Sequence, residues 1–109
     1  PRGIEAGIDV PADLRLPPAI ETLFYRCAQE ALRNVAAHSR AGHAHVRVEV
    51  ESDLARLTVT DDGQGFDGRA EEGHMGLKLL TDLAREAGGR LELDSAPGRG
   101  TRVCVEAPR

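Results

Sequence analysis

The chain has 109 residues, of which 40% are hydrophobic, 29% charged and only 3% aromatic. That is the make-up of one soluble globular domain, with a core built from Val, Leu, Ile and Ala. A formal charge of -4 argues against a general nucleic-acid surface, and the sequence has neither an apolar run long enough for a membrane span nor a signal-peptide pattern.

In chain order, Ile4, Ala6, Ile8 and Val10 share one parity and predict a first strand over 4–10, ended by Pro11. Asp13 to Leu16 is a connector. Pro17-Pro18 suits a helix start, because proline fixes φ and its missing N–H is not needed there. From Ala19 to Ser39 there is no Gly or Pro, and Ile20, Leu23, Phe24, Cys27, Ala31, Leu32 and Val35 recur at helical spacing. Val46, Val48 and Val50 mark a second strand, and Glu51-Ser52-Asp53 reads as a hairpin turn into a third. On that strand Ala55, Leu57 and Val59 share one parity. If the alternation continues, Asp61 points to the apolar side and Asp62 to water. Phe66 to His74 is a polar, glycine-punctuated loop. Met75 to Ala87 predicts a second helix through Leu77, Leu80, Leu83, Ala84 and Ala87, and Gly88-Gly89 stops it. Leu91 and Leu93 point inward on a fourth strand. A turn with Pro97, Gly98 and Gly100 leads to the last strand, with Thr101, Val103, Val105 and Ala107 inward.

Fully parallel sheets read as continuous apolar runs, whereas these strands alternate. The fold class is therefore α/β (α+β): a two-layer sandwich with a mixed, mostly antiparallel five-stranded sheet and helices on one face. Residues 1–109 form one domain, and a chain that begins at Pro1 reads as a fragment of a longer one. Cys27 and Cys104 match no metal or disulfide spacing, so both read as reduced, in a cytosolic compartment.

Three stretches bear chemistry. Asp61-Asp62-Gly63-Gln64-Gly65-Phe66 puts an acid at a strand end beside two glycines, where backbone and ligand can approach closely. A carboxylate on the buried side needs a partner. On the first helix Arg26, Glu30, Asn34 and His38 are spaced by four and form one row. Glu30 and Asn34 offer oxygen ligands, which hard cations such as Mg²⁺ take, although a polar row is also what any solvated helix face looks like. Gly73-His74-Met75-Gly76-Leu77 opens the second helix, whose free N–H groups suit phosphate.

In this order, the three resemble the ATP-binding catalytic domain of sensor histidine kinases. That domain belongs to a superfamily with gyrase, the mismatch-repair ATPases and a heat-shock chaperone. Gln29 to Ser39 looks like its N box, Asp61 to Phe66 and Gly73 to Leu77 its two glycine boxes, and Gly98 to Thr101 its final motif. The short lid resembles the compact-lid subgroup. The resemblance implies a Bergerat-type ATP-binding fold and the cofactors ATP and Mg²⁺. It implies that Asp61 accepts from the adenine amino group and that Asn34 binds Mg²⁺ between the phosphates. Glu30 would hold a metal-bound water or orient the phosphates, and Thr101 would sit beside Asp61. Gly63, Gly65, Gly73 and Gly76 would shape the pocket and hinge the lid, with His74, Met75 and Leu77 of the same motif also binding cofactor. His38 would reach the phosphates or simply cap its helix. Ala37 departs from the family, where many members carry Lys or Arg, so a phosphate contact is missing or replaced by His38 or Arg69.

The implied function is transfer of the γ-phosphate to a histidine on a dimerisation and phosphoacceptor domain, with a response regulator downstream. The implied setting is cytoplasmic, with no nucleic acid and no direct membrane contact by this domain. None of the four histidines is followed by an acid, so the chain alone is not expected to phosphorylate itself. Two other readings stand beside it: an anti-sigma-type serine kinase of the same superfamily, and a degenerate domain kept for protein interaction. Gly63 to Gly68 also fits a dinucleotide fingerprint, but Phe66 to Gly73 is too short for the helix that motif must open.

Overall fold

The computed structural model describes residues 5–35, 42–63, 75–96 and 98–109. Its elements are β1 (Glu5–Asp9), α1 (Pro18–Asn34), β2 (His43–Glu51), β3 (Leu54–Asp61), α2 (Met75–Glu86), β4 (Arg90–Ser95) and β5 (Thr101–Pro108). The strands form one sheet in the order β1-β2-β3-β5-β4. Only β1 and β2 pair in parallel; the other neighbours are antiparallel. Helix α1 packs on β3 and β5, and α2 on β4 and β5. The expected two-layer, mostly antiparallel sandwich is what forms. A dinucleotide fold is excluded, because β3 and β5 run antiparallel where that fold needs a parallel pair.

Pro17 caps α1 with its carbonyl, which accepts from Ile20 N and Glu21 N at 3.0 Å each. Pro18 stands at the first helical position, where it loses no hydrogen bond. Ile20, Leu23, Phe24, Cys27 and Ala31 are buried, one stripe at three- and four-residue spacing. Burial holds the Cys27 thiol up at about 12, so it stays protonated. The helix was expected to reach Ser39; Val35 still reaches back to the Ala31 and Leu32 carbonyls, and residues 36–41 lie outside the described residues. Helix α2 ends as the double glycine predicts. Gly89 N donates to Ala84 O at 2.8 Å and Gly88 N to Arg85 O at 3.0 Å. Gly88 takes φ +83, a conformation that costs other residues about 1–2 kcal/mol.

The core forms where the helices cover the sheet. Val46 and Val48 of β2, Ala55, Leu57 and Val59 of β3, and Val103, Val105 and Ala107 of β5 meet the α1 stripe and Leu80 and Ala84 of α2. Each fully buried aliphatic side chain contributes about 1.5–3 kcal/mol. A tight Ser52-Asp53 turn joins β2 to β3, and Arg109 N closes onto Asp53 O at 2.9 Å.

The edge strands keep the expected facing but gain little burial. Ile8 and Val10 remain 73% and 42% exposed, and Leu93 is 40% exposed. Ile8 pairs with buried Val46, and Leu93 with buried Val103, so each points to the helix side. The helices are centred on the inner strands, and the edges project beyond their cover. Parity tells which side a residue faces, not whether anything lies on it.

Candidate nucleotide site

Strand β3 runs from the core to the site. Its burial alternates through Ala55, Leu57 and Val59, so Asp61 falls on the helix side, half-buried, and Asp62 on the exposed side. Asp61 Oδ1 accepts from Gly63 N at 2.8 Å, a short turn over the strand end. Burial pushes the Asp61 carboxyl above its ordinary range; the Gly63 N–H opposes that shift, and the Asp62 charge adds to it. Asp62 is in the opposite state. Its Oδ1 accepts from Gly42 N and His43 N at 3.0 Å each, and its Oδ2 lies 2.8 Å from His43 Nδ1. The His43 backbone N–H, then its ring, hold Asp62 below the usual carboxylate range. One acid locks the start of β2 to the end of β3; the other faces a pocket with its charge incompletely matched.

Thr101 is the direct cross-strand partner of Asp61, and Ala44 is its partner on the other side. Cross-strand partners share a face, so Asp61 and Thr101 stand side by side, as parity predicted. With Thr60, Ser95, Arg99 and Gly100 they line a pocket of about 310 Å³ at the end of the sheet. Asp61 also lines a second pocket of about 590 Å³, with Gly7, His43 and His45.

Asn34 is the last residue of α1, one turn beyond Glu30. Both its Oδ1 and Nδ2 are buried without a hydrogen-bond partner. An unpartnered buried amide costs about 1–3 kcal/mol. Glu30, 17% exposed, is held by Arg33, whose Nη2 lies 2.5 Å from Oε2. Residues 36–41 link Val35, just past the end of α1, to Gly42, whose N–H binds Asp62 beside Asp61.

Asn34 and Glu30 suit Mg²⁺. That ion keeps waters and takes one or two protein oxygens alongside substrate phosphates, rather than a full protein cage. Among the described residues no cluster of three or more His, Cys, Asp or Glu is placed to hold a metal. An orphaned amide oxygen with a neighbouring carboxylate is the donor set such a shared site needs.

Against the sequence reading, Glu30, Asn34, Asp61, Gly63 and Thr101 are all at element ends. Met75, Gly76 and Leu77 open α2. His38, Gly65, Gly73 and His74 lie outside the described residues, as does the lid up to His74. Sequence reasoning placed Gly100 in the final motif without a role of its own, and passed over Ser95 and Arg33. Gly100 has φ +77, and a Cβ there would overlap the Asp61 carbonyl oxygen. The signal was in the sequence: a glycine directly before the strand that pairs with Asp61.

The profile of the histidine kinase-, DNA gyrase B- and HSP90-like ATPases matches residues 19–109. The chain belongs to this ATPase family. Its similar relatives are sensor kinases. It is 36% identical over 103 residues to the signal transduction histidine-protein kinase/phosphatase DegS of Bacillus subtilis, covering 88% of this chain and 26% of that one. It is 37% identical over 110 residues to the sensor histidine kinase NarS of Mycobacterium tuberculosis, covering 94% of this chain and 26% of the relative. The chain thus spans about a quarter of the curated relatives it matches. The histidine kinase domain of a blue-light activated histidine kinase from Erythrobacter litoralis has the same fold, at TM-score 0.80 and 24% identity, over 97% of this chain and 52% of that one. Within the ATPase family, then, the relatives that this chain resembles in sequence are sensor histidine kinases. No helix among the described residues is long and apolar enough to cross a membrane.

Proposed function

We propose that the domain binds Mg-ATP and presents its γ-phosphate to a histidine on a separate dimerisation and phosphoacceptor domain, in a cytoplasmic two-component kinase. The observation that carries this reading is Asn34: a buried amide with both polar atoms unpartnered, at the end of a helix. A folded chain keeps such a cost where a ligand removes it.

Asp61 takes the base. Ionised, it only accepts hydrogen bonds, so it suits the adenine amino group and repels the guanine carbonyl. Its half-buried position strengthens that choice, because fewer waters compete. Asn34 Oδ1 offers a metal ligand, and Glu30, steadied by Arg33, orients a metal-bound water or the phosphates. When bound, Mg²⁺ neutralises charge on the phosphate oxygens. The residues Met75, Gly76 and Leu77 place a helix N-terminus for the phosphate chain.

Titration calorimetry with ATP and GTP, with and without Mg²⁺, tests the reading. ATP is expected to bind in a Mg²⁺-dependent way and GTP not to bind. Equal affinity for the two nucleotides would remove it. Incubation with labelled ATP is expected to leave the chain unlabelled. Adding a phosphoacceptor domain should give an acid-labile, base-stable product; an acid-stable one would mean a serine acceptor.

A further inference from the structure

Glu30 and Asn34 lie one turn apart on the same face of α1. Glu30 has an arginine on either side along the helix, Arg26 four residues before it and Arg33 three residues after it. It takes only the second: Arg26 holds no ion pair among the described residues. Arg33 Nε donates to Oε1 at 3.3 Å and Nη2 to Oε2 at 2.5 Å, so a two-pronged fork engages both oxygens of the carboxylate. The carboxylate is mostly buried and the guanidinium exposed.

As a stabilising contact a pair of this kind is minor, because its outer member is in water. Its effect on the site is larger. An ionised carboxylate and an amide oxygen on one helix face are hard-oxygen donors of the kind a divalent cation takes. The Asn34 amide carries no charge, so the attraction of these two residues for a cation rests on Glu30. A guanidinium on both Glu30 oxygens cancels that charge locally. A carboxylate has about four acceptor sites, and the fork uses two of them. Glu30 can therefore still accept from a water, but as half of a neutral pair it offers a bare cation little attraction.

We propose that Arg33 is a positioning residue that keeps Glu30 a hydrogen-bond acceptor for water and bars it from binding a metal ion directly, so that the Asn34 end of α1 holds a divalent cation only together with nucleotide phosphates. This deepens the ATP-binding reading and rests on it. The phosphates bring the negative charge that the paired Glu30 lacks. Without Arg33, Glu30 and Asn34 are left as a small cation site of their own, open in the absence of nucleotide.

The test uses Mn²⁺, a paramagnetic stand-in for Mg²⁺, without nucleotide. Its free-ion signal in electron paramagnetic resonance is titrated against wild type, R33A, R33K and R33A combined with E30Q, with circular dichroism to confirm folding. R33A should bind Mn²⁺ about tenfold more tightly than wild type, the effect of removing one unit charge beside a divalent ion in a water-like dielectric. R33K, which keeps the charge, should stay near wild type, and E30Q added to R33A should abolish the gain. If R33A does not fold, R33Q, which keeps an amide donor without the charge, takes its place. Equal Mn²⁺ affinity in wild type and R33A would make Arg33 an ordinary helix-surface partner and overturn the proposal, as would a gain that survives E30Q. Calorimetry of wild type with Mg-ATP separates the two levels. A wild-type chain that binds no ATP would remove the functional reading and this inference together. ATP binding with an unchanged Mn²⁺ affinity in R33A would remove only the inference.

Discussion

The two faces of the sheet use polar residues in opposite ways. On the outer face charge meets charge. Arg56 Nε lies 2.7 Å from Glu106 Oε2, Arg56 also reaches Glu49 at 3.5 Å, and Arg90 reaches Glu106 at 3.6 Å. Arg56 in turn holds the Glu106 carboxyl below its usual range. On the helix face the side chains are aliphatic, and the polar exceptions come at the ends of elements: Asn34 unpartnered, Asp61 pushed up by burial, Thr101 beside it. The outer face is dense in charge and self-satisfied; exposed ion pairs of this kind contribute at most about 1 kcal/mol each. The helix face is sparse in polar groups and unsatisfied. Chemistry is left over only where polar groups have not been matched to each other.

Asp61 gives the largest break in that contrast. Asp61→Ala should weaken ATP by about ten- to a hundredfold, since a hydrogen bond to a charged group is worth about 1.5–3 kcal/mol. The fold should survive, as the side chain's one bond within the described protein is to Gly63 N. Its pH behaviour opposes that of its neighbour. The Asp61 carboxyl is raised, so in the folded state it holds its proton longer than in the unfolded chain, and it loses stability as pH rises through its titration. Asp62 is lowered, so its contribution is present above the ordinary carboxylate range and lost as pH falls through its folded value. Asp61→Asn should therefore melt higher than wild type near pH 7, and Asp62→Asn lower. The same sign for both would mean that their surroundings are alike.

Gly100 and Gly98 test whether the strand end is held by close approach or only by backbone shape. Both have positive φ, +77 and +79. An added Cβ would meet nothing within 4 Å at Gly98 but would overlap the Asp61 carbonyl at Gly100. Gly98→Ala should cost about 1 kcal/mol, the conformational penalty alone. Gly100→Ala should cost about 2–3 kcal/mol and weaken ATP as well, because β3 must move. Chemical denaturation of the two variants reads the difference, and equal losses would mean that the packing against Asp61 does not matter.

Most of the fold was legible because it rests on periodicity. The α1 stripe, the valines of β2, the alternation of β3 and the Gly88-Gly89 stop are all local patterns that the tertiary structure only had to accept. Asp61 was legible for the same reason: parity carried it to the buried side. Thr101 followed from the same rule on β5. Ser95 was not, because a serine near a turn has no pattern, and its contact with Thr101 exists only through the β4–β5 register. Arg33 was missed since the row through Glu30 was read at a spacing of four, while the ion pair closes at three. The burial of Asn34 without a partner is a property of packing that no spacing reveals.

Asn34 sharpens the comparison through a trade. Asn34→Ala should lose about tenfold in Mg²⁺-dependent ATP affinity while keeping much of its adenosine recognition. Stability should hold or rise, because an unpartnered buried amide has been removed. On the outer face Glu106→Ala should do the reverse: slightly lower stability, with nucleotide binding unchanged. Thermal melts and titrations on both variants test this. A clear loss of stability in Asn34→Ala with intact Mg-ATP binding would make the amide a structural group instead.

Ile8 gives the smallest expected effect, and it separates the face from its cover. It lies on the helix side of the sheet, paired with Val46, yet it is 73% exposed while Val46 is 8% exposed. If the face alone set the environment, the two would matter equally. The helices pack on β3, β4 and β5, so β1 has the orientation of a core strand without its burial. A side chain already in water gives up little apolar contact when it becomes polar. Ile8→Ser should therefore change stability by less than about 0.5 kcal/mol, and Val46→Ala should cost about 1–2 kcal/mol. Urea denaturation of the isolated chain resolves that gap. A loss for Ile8→Ser as large as that for Val46→Ala would mean that β1 is covered in solution, and that the helix face extends to the edge of the sheet.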